Sequence, residues 1–420
     1  MSAVEDTRVL ELEIGNVAGG GGCVARAPDG RVVFVRHSLP GERVMAKVTS
    51  STRSYLRADA IEVLQPSPDR VSPPCPHAGP DRCGGCDFQH VDVAAQRRLK
   101  GFRIAEQLEH LAGIVREVTV EPVAGDEAGL GWRSRIRLAV DPEGKVGFRK
   151  HRSHELEYVD HCPIADPAVM EVGALGVEWP GADELEVFVG PGGTDAVVSL
   201  TTSNPVKVTL PDIKAGVVAR GRVLRQPDAV HTVVAGFNFR VTNGVFWQVH
   251  VGAANALGNE VRAASGVRPG DAVVDLYAGA GLFSVLLADA VGPAGSVLAV
   301  ERDRRACADA SHNGKRYSLL RVMKASITPS LVEDAIGQPD LIVLDPAREG
   351  AGTGVMSALD THASTVRKVI YVSCDPASFS RDIKALLTRG WSISTLRAFD
   401  IFPMTEHVEL VASLTPPGQG

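Results

Sequence analysis

The sequence lacks the long apolar run that a membrane-spanning helix needs. The chain has 420 residues, yet none of its hydrophobic stretches approaches the roughly 20 residues that cross a bilayer. The amino-terminal segment also lacks the pattern of a secretory signal, because charged residues interrupt it from Glu5 onward. We therefore expect a cytoplasmic protein that does not use a membrane.

A surplus of positive charge is missing as well. There are 44 Lys and Arg residues against 50 Asp and Glu residues, which gives a formal net charge of −6. This balance argues mildly against nucleic-acid binding, but a local basic stripe is enough to contact phosphates. Hydrophobic residues make up an ordinary 44% of the chain, and the length predicts two or three globular domains.

The seven cysteines are a poor basis for a disulfide framework. Their number is odd, and three of them fall within twelve residues of a chain with no export signal, which favours metal binding or catalysis. Cys83 and Cys86 form a C-x-x-C pair whose glycines let both sulfurs face one centre, and Cys75 is near enough to join them. Cys162 is the best candidate for a fourth ligand, and His77 and His161 are lesser candidates. Four thiolates suit a [4Fe–4S] cluster or a structural zinc ion, which spacing alone does not separate.

Short β-strands separated by turn signals fill the N-terminal part of the chain. A glycine run and Pro-Asp-Gly and Pro-Gly sequences punctuate them. Five short strands in about 60 residues predict a small closed barrel of the OB type, which often binds nucleic acid. We place this domain at residues 1–66 and predict strands at Val9–Ile14, Gly22–Arg26, Val32–Val35, Arg43–Val48 and Asp59–Leu64.

A helical periodicity runs through residues 91–115. Apolar residues from Leu99 to Val115 recur every three or four positions, and the opposite face would hold charged residues that include Arg97 and Lys100. Such a helix could pack on a domain that is distant in sequence.

From Trp132 onward the periodicity changes to two. Arg133, Arg135 and Arg137 alternate with apolar or small residues, which would put three guanidinium groups on one face of a strand. With the basic residues that follow a turn, they predict a ribbon that contacts phosphates, although a solvated strand face is the alternative. The chain up to residue 240 predicts further short strands and forms a β-rich central domain.

A glycine-rich loop marks the start of the C-terminal part. The stretch from Ala272 to Ser284 predicts a strand, a loop with Gly279 and Gly281, and the beginning of a helix. Glycines at that position let the backbone approach a ligand, and Glu301 at the end of the next strand suits a pair of ribose hydroxyls. The absence of a G-x-G-x-x-G pattern disfavours NAD, so the loop predicts another adenosine ligand.

Reactive side chains follow the later strands of this part. One predicted strand ends at Asp345 and another at Cys374, and a final antiparallel pair closes the sheet. We predict a doubly wound, Rossmann-like α/β domain with a seven-stranded mixed sheet and its ligands at the carboxyl ends of the strands. Pro376 opens a helix directly after Cys374, and a helix N-terminus can lower a thiol pKa toward the nucleophilic thiolate. A buried structural cysteine is the alternative interpretation.

Several motifs together resemble those of the S-adenosylmethionine-dependent RNA (uracil-5-)-methyltransferases. The N-terminal strands and glycine run resemble the TRAM domain, an RNA-binding barrel, and the cysteines resemble the iron–sulfur site of the TRAM-bearing ribosomal RNA members. Two departures are seven residues between Cys75 and Cys83, where five are usual, and His250 in place of the usual Asn. The motifs are Phe246–His250, Asp275–Gly281, Asp345–Gly350, Ser373–Pro376 and Phe402–Glu409.

The resemblance implies roles for individual residues. Cys374 would be the nucleophile that attacks C6 of a uracil, and Glu409 the base that removes the C5 proton. The cysteines implied to hold a [4Fe–4S] cluster, with zinc as the less favoured metal, are Cys75, Cys83, Cys86 and Cys162, called here the four-cysteine set. The residues that would hold S-adenosylmethionine or lie beside the methyl-transfer site are Gln248, Tyr277, Glu301 and Asp345.

The resemblance also implies a substrate and a domain plan. The substrate would be RNA, with 23S ribosomal RNA as the leading expectation and tRNA as the alternative. A non-catalytic iron–sulfur RNA-binding protein is the alternative function of another class. We expect a monomer. Beside the barrel, we predict a central iron–sulfur and RNA-binding domain at 67–90 plus 126–240 and a catalytic domain at 91–125 plus 241–420.

Overall fold

A computed structural model describes residues 8–126, 128–192, 195–203 and 210–418. The predicted barrel domain thus has its first seven residues outside the described part. So do residues 127, 193–194 and 204–209 of the predicted central domain and residues 419–420 of the predicted catalytic domain. Within the described residues, no helix is both long and apolar enough to cross a membrane.

The N-terminal sheet has the five strands that the sequence predicts, in the order β1-β4-β5-β3-β2. Alternate side chains of the strands are buried, as on β4, where apolar residues enclosed by the sheet alternate with exposed ones. The last strand begins four residues earlier than predicted. The strands are β1 Val9–Glu13, β2 Gly22–Arg26, β3 Val32–Arg36, β4 Arg43–Ser51 and β5 Tyr55–Gln65.

The central part is built on a seven-stranded sheet in the order β13-β12-β11-β10-β7-β8-β9, with a separate hairpin of β14 and β15. Its core contains the fully buried Trp179 and aliphatic residues of β7, β10 and β11. The elements are β7 Arg135–Val140, β8 Val146–Arg149, β9 Leu156–Glu157, α2 Pro167–Glu171, β10 Glu184–Val189, β11 Ala196–Thr201, β12 Gly216–Ala219, β13 Arg222–Arg225, β14 Ala229–Val234 and β15 Phe237–Thr242.

The C-terminal part is a doubly wound sheet, as predicted, but with eight strands in the order β18-β17-β16-β19-β20-β22-β21-β6. The additional strand, β6 Val120–Pro122, pairs in parallel with β21 at the edge. It was not predicted because three residues are too few to show a period.

The strands β16 to β20 run parallel, and β22 is antiparallel to both of its neighbours, β20 and β21. The elements are α3 Ala253–Ser265, β16 Ala272–Leu276, α4 Leu282–Val291, β17 Ser296–Glu301, α5 Arg304–Asn313, β18 Leu320–Lys324, α6 Pro329–Asp334, β19 Leu341–Leu344, α7 Thr353–Leu359, β20 Lys368–Ser373, α8 Pro376–Leu387, β21 Ser392–Asp400 and β22 Glu409–Thr415.

The predicted helix forms as α1 Val93–Gln107 and continues as a π-helical turn to Ala112. Its predicted polar face was wrong for Lys100, which is only 2% exposed, whereas Phe102 is 42% exposed. Lys100 Nζ lies 2.5 Å from Asp400 Oδ1 and donates to the carbonyl of Phe402 at 3.0 Å. The helix therefore turns a cation inward because a buried carboxylate and a backbone carbonyl are there to receive it.

The basic ribbon also differs from its prediction. Arg135 is not on an exposed phosphate-binding face: its side chain is 12% exposed, lies over the ring of Phe188 at 3.8 Å and donates to the carbonyl of Val245. Arg137 is exposed but lies 3.5 Å from Glu186. Packing on the neighbouring strand thus removes the middle arginine from the surface, which a period of two does not reveal.

The buried Lys100–Asp400 pair predicts a large effect on stability. Lys100→Met should lower the free energy of unfolding by about 3–5 kcal/mol, because Asp400 would be left charged and unpaired in the interior. Urea denaturation measures this, and Lys100→Met with Asp400→Leu should regain most of the loss. The control is Arg98→Met, which breaks an exposed pair with Asp69 and should cost less than about 1 kcal/mol. Equal losses in the two single variants would contradict the assignment.

Candidate active site

Four of the six side chains predicted for catalysis and cofactor binding lie at the carboxyl ends of adjacent strands. Tyr277 follows β16, Glu301 ends β17, Asp345 follows β19 and Cys374 follows β20. Because these strands are parallel and neighbours in the order β17-β16-β19-β20, their carboxyl ends meet at one edge of the sheet. The structure therefore brings these four residues to the edge where open α/β sheets bind ligands.

The register of the antiparallel pair β20–β22 brings Glu409 to Cys374. Ser373, the last residue of β20, lies opposite Leu410. The next pair along the ladder is therefore Cys374 and Glu409. Glu409 is 2% exposed and Cys374 is partly exposed, so a buried carboxyl stands beside a thiol that a ligand can reach.

Acidic groups crowd this edge. Burial and the nearby charge of Asp345 raise the pKa of Glu409 well above its ordinary value. Burial and the charge of Asp275 likewise raise the pKa of Asp345. Asp275 accepts a hydrogen bond from Ser284 at 2.5 Å, yet burial still raises its pKa to about 7. Carboxyls that share a buried site cannot all ionise near neutral pH, so the site holds protons.

The Cys374 thiol is not activated as the sequence predicted. Burial, together with the charges of Glu409 and Asp345, raises its pKa to about 12. Asp375, and not Cys374, is the N-cap of α8, and its carboxylate accepts the N–H of Ser378 at 2.7 Å. The helix N-terminus therefore interacts with the aspartate, and the expected lowering of the thiol pKa by the helix was wrong.

Arg348 supplies positive charge to this acidic site. It favours ionisation of both Cys374 and Glu409. Its guanidinium lies 3.0 Å from Nε2 of His407, and because a guanidinium only donates, that nitrogen accepts. Burial and the charge of Arg348 lower the pKa of His407 to about 4, so the imidazole is neutral and carries its proton on Nδ1.

A cavity of about 320 Å³ opens beside the thiol. Cys374, Arg348 and His407 line one part of it, and Arg103 of α1 and Gly20 of the N-terminal sheet line another. The cavity is large enough for a nucleobase. Its charged lining residues have both signs, since Lys100, Arg103 and Arg348 are basic and Asp375 and Glu406 are acidic.

Glu301 is fixed against the glycine-rich loop. Its Oε2 accepts the N–H of Gly279 at 3.0 Å and its Oε1 accepts that of Asp303 at 2.7 Å. Tyr277 adopts a positive φ of 63° directly after β16, a strained conformation for a residue with a side chain. Gln248 is buried on the segment that joins β15 to α3 and does not lie at a strand end.

His250 is an interior residue. It is 0% exposed and stacks on Trp132 with ring centroids 5.6 Å apart. Its Nδ1 accepts the N–H of Gly252 at 3.0 Å, and its Nε2 lies 3.6 Å from Asp126 Oδ2. In this arrangement the imidazole supports Trp132, which in turn packs edge-on against Phe402 at 6.3 Å.

The cysteines of the four-cysteine set are free thiols that influence one another electrostatically. The charges of Cys75 and Cys162 act on Cys83, and burial raises the pKa of Cys83 to about 11. Backbone N–H groups of Ile164 and Ala165 donate to Cys162. This donor chemistry fits a thiolate-bound metal or cluster, in which N–H groups commonly point at sulfur. Among the described residues, however, no three His, Cys, Asp or Glu side chains are arranged to hold a metal ion.

Three residues of this site had no assigned role in the sequence analysis. Arg348, Glu406 and His407 lie inside the quoted motifs, but nothing in their spacing assigns them a partner. Asp275 was quoted only as part of a motif, and its effect on the pKa of Asp345 depends on the pairing of β16 with β19.

Comparison with known proteins covers both ends of the chain. The family model described as the TRAM domain matches residues 4–61. The family model described as tRNA (Uracil-5-)-methyltransferase matches residues 337–415, which include Asp345, Cys374 and Glu409.

Similar proteins match over nearly the full length. An uncharacterized RNA methyltransferase of Streptomyces avermitilis is 44% identical over 98% of this chain and 99% of its own. The 23S rRNA (uracil(1939)-C(5))-methyltransferase RlmD of Alkalilimnicola ehrlichii is 33% identical over 91% of this chain and 92% of its own. A solved Pyrococcus abyssi tRNA (uracil-54, C5)-methyltransferase with S-adenosyl-L-homocysteine has a TM-score of 0.74 at 21% identity, covering 97% and 100% of the two chains, which confirms the fold.

The raised pKa of Cys374 predicts slow alkylation of the free protein. With a pKa of about 12, only roughly one thiol in 10,000 is ionised at pH 8. The rate of iodoacetamide labelling at Cys374, followed by mass spectrometry of its peptide, should still rise tenfold per pH unit at pH 10. The same peptide in the urea-unfolded chain is the control and should level off near pH 9. A folded-state plateau below pH 9 would contradict the burial of this thiol among acids.

Proposed function

This chain belongs to the RNA (uracil-5-)-methyltransferase family, and from that premise we propose that it methylates C5 of a uridine through a covalent adduct at Cys374. The observation that carries the proposal is the pairing of Cys374 with the buried Glu409, together with a nucleobase-sized cavity that Cys374 lines. The methylation needs a nucleophile and a base, and we assign these roles to Cys374 and Glu409.

The chemistry requires these two residue types. C5 of uracil is a weak nucleophile, so the Cys374 thiolate first bonds to C6, and the electron pair of the C5–C6 double bond moves toward the C4 carbonyl to form an enolate. The enolate C5 then takes a methyl group. Glu409 removes the proton left on C5, the C5–C6 double bond reforms, and the C6–S bond breaks to release Cys374.

Arg348 is the group that favours the start of this sequence. The thiol must lose its proton before attack, and burial among carboxyls opposes that loss. The guanidinium is the positive charge that lowers the pKa of Cys374 and of Glu409. The raised pKa of Glu409, in turn, makes its carboxylate a stronger base than an exposed one.

S-adenosylmethionine, when bound, supplies an electrophilic methyl group on its sulfonium. The residues proposed to hold it are Gln248, Tyr277, Glu301 and Asp345. Support comes from Glu301, whose carboxylate is held against the glycine-rich loop at the ligand-binding edge of the sheet. The target base must leave its stack to reach Cys374, and the cavity next to the thiol has room for it.

We further propose that the substrate is 23S ribosomal RNA. We also propose that the chain is organised into the three domains that the sequence predicts. The RlmD relative is named for a 23S rRNA uracil. The TRAM match of this chain and its cysteine cluster favour ribosomal RNA through the family resemblance. tRNA remains the alternative. A non-catalytic RNA-binding protein is disfavoured because Cys374 and Glu409 are both present and adjacent.

We also propose that the four-cysteine set binds a [4Fe–4S] cluster, with zinc as the less favoured metal. Support comes from the mutual proximity of these thiols and from the backbone N–H groups directed at Cys162. Protein purified without air should contain about four iron and four sulfide per chain.

Metal analysis tests this proposal. Cys75→Ala should lose the iron, whereas the control Cys307→Ala, outside the set, should keep it. Stoichiometric zinc in colourless protein would refute iron but keep the site, and protein with neither metal would remove the site.

Two substitutions test the mechanism. Cys374→Ala should bind RNA and S-adenosylmethionine but form no adduct and transfer no methyl group. Glu409→Gln should transfer the methyl group and then stall, because the C5 proton cannot leave. It should accumulate a protein–RNA adduct that survives denaturing electrophoresis and carries label from the methyl donor. The control is Glu333→Gln, a surface change at the end of α6 that should turn over normally.

Normal turnover by Glu409→Gln would remove this residue from the mechanism. Methylation by Cys374→Ala would overturn the covalent route altogether.

A further inference from the structure

We propose that the glycine run of the N-terminal barrel, Gly19–Gly22, is a wall of the cavity that receives the target nucleotide, and that Glu406 is the positioning residue that holds it there. The inference deepens the proposed function and rests on it. By this inference the barrel forms part of the active site, in addition to any RNA binding on its outer surface.

The contact between barrel and catalytic part is a carboxylate held by two backbone N–H groups. Oε2 of Glu406 accepts from Gly20 at 2.5 Å and from Gly21 at 2.8 Å. Both glycines have positive φ, 88° and 71°, which residues with side chains adopt only under strain. Successive N–H groups that face one oxygen form an anion-binding concavity, so the glycine run is shaped to receive this carboxylate.

A second set of contacts fixes the other side of the same loop. Glu406 donates its own N–H to Asp87 Oδ2 at 3.2 Å. The N–H groups of Asp87 and Phe88 both donate to the carbonyl of Met404 at 2.9 Å. Met404 has a φ of 65°, a strained conformation that such contacts can maintain. The β21–β22 loop, residues 401–408, is thus held by the barrel and by the segment after Cys86.

Space around Gly21 confirms how closely these parts fit. A Cβ placed on Gly21 would lie 2.5 Å from the Cβ of Asp87. No side chain fits at that position, so the backbone of the glycine run lies directly against Asp87 and Glu406.

The loop held in this way faces the nucleophile. It carries His407, which accepts from Arg348 in the cavity beside Cys374. The backbone of Gly19 and Gly20 lines the same cavity from the opposite part of the chain. A base that enters to reach Cys374 therefore contacts a wall made by the barrel, and the wall is kept in place by Glu406.

A barrel that only tethers RNA would act through its outer surface. Arg57 offers the matched control, because its guanidinium lies over the rings of Phe34 and Tyr55 at 5.9 and 5.4 Å. This cluster is on β3 and β5, and none of its residues lines the cavity. Loss of an outer contact should weaken RNA binding and leave the chemical step unchanged.

The experiment measures adduct formation in a single turnover at saturating RNA. Glu406→Ala should lower that rate constant at least tenfold while binding of S-adenosylmethionine stays as in the wild type. Glu406→Gln keeps an oxygen for the two N–H groups and should stay within about threefold of the wild type. Arg57→Gln should raise the RNA concentration needed for saturation but not change the saturated rate.

Amide hydrogen exchange gives a readout that does not depend on activity. In Glu406→Ala, exchange should accelerate in the peptides that contain Gly20–Gly21 and residues 402–408, and not in those of β16. A saturated rate equal to the wild type, or unchanged exchange in both peptides, would overturn the proposal. Wild-type protein that forms no 5-methyluridine would refute the proposed function instead. The exchange result would still show whether Glu406 holds the glycine run against the β21–β22 loop.

Discussion

The antiparallel pairing of β20 with β22 is the constraint on which the site depends. A slip of one residue would turn every side chain of β22 to the opposite face and move Glu409 away from Cys374. Both faces of the pair oppose such a slip. Ile370 and Val372 pack into one hydrophobic core, while Val369 and Tyr371 pack into another. The register of the Cys374–Glu409 pair is thus specified by apolar packing on two sides of the sheet.

That packing also raises the pKa values of the acidic groups at the ends of the strands. Strands buried on both faces leave little water at their ends, so Glu409, Asp345 and the Cys374 thiol all favour their protonated forms. Arg348 offsets this only in part, since it also donates to His407. In the proposed mechanism negative charge forms on the Cys374 sulfur and on Glu409, and Arg348 is the positive charge that lowers the pKa of both groups.

Sequence patterns were sufficient wherever a residue's position follows from the end of a strand. Cys374, Asp345, Glu301 and Tyr277 follow strands whose apolar runs are evident, and the sheet brings them together. Patterns failed where a specific contact decides, whether that contact is made by the next residue or by one distant in sequence. The helix after Cys374 was predicted, but Asp375 occupies its N-terminus.

The same limit explains the middle of the chain. Arg135 alternates as a surface residue would, yet Phe188 and Glu186 of an adjacent strand enclose it. Periodicity predicts which residues share a face of a strand, but whether that face is covered depends on what packs there. The short β6 shows the converse, since it pairs with β21 without a pattern of its own.

The inward polar face of α1 shows how contacts with the β21–β22 loop can override the amphipathic pattern of a helix. Gln96 is fully buried; its Oε1 accepts the N–H of Met404 and its Nε2 donates to the carbonyls of Phe88 and Val91. Lys100, one helical turn further, binds Asp400 and the carbonyl of Phe402. The β21–β22 loop has backbone groups that no strand satisfies, so polar side chains of α1 satisfy them. Buried polar contacts of this kind add little net stability, but because each misplacement would leave a group unpaired, they hold the loop in one conformation.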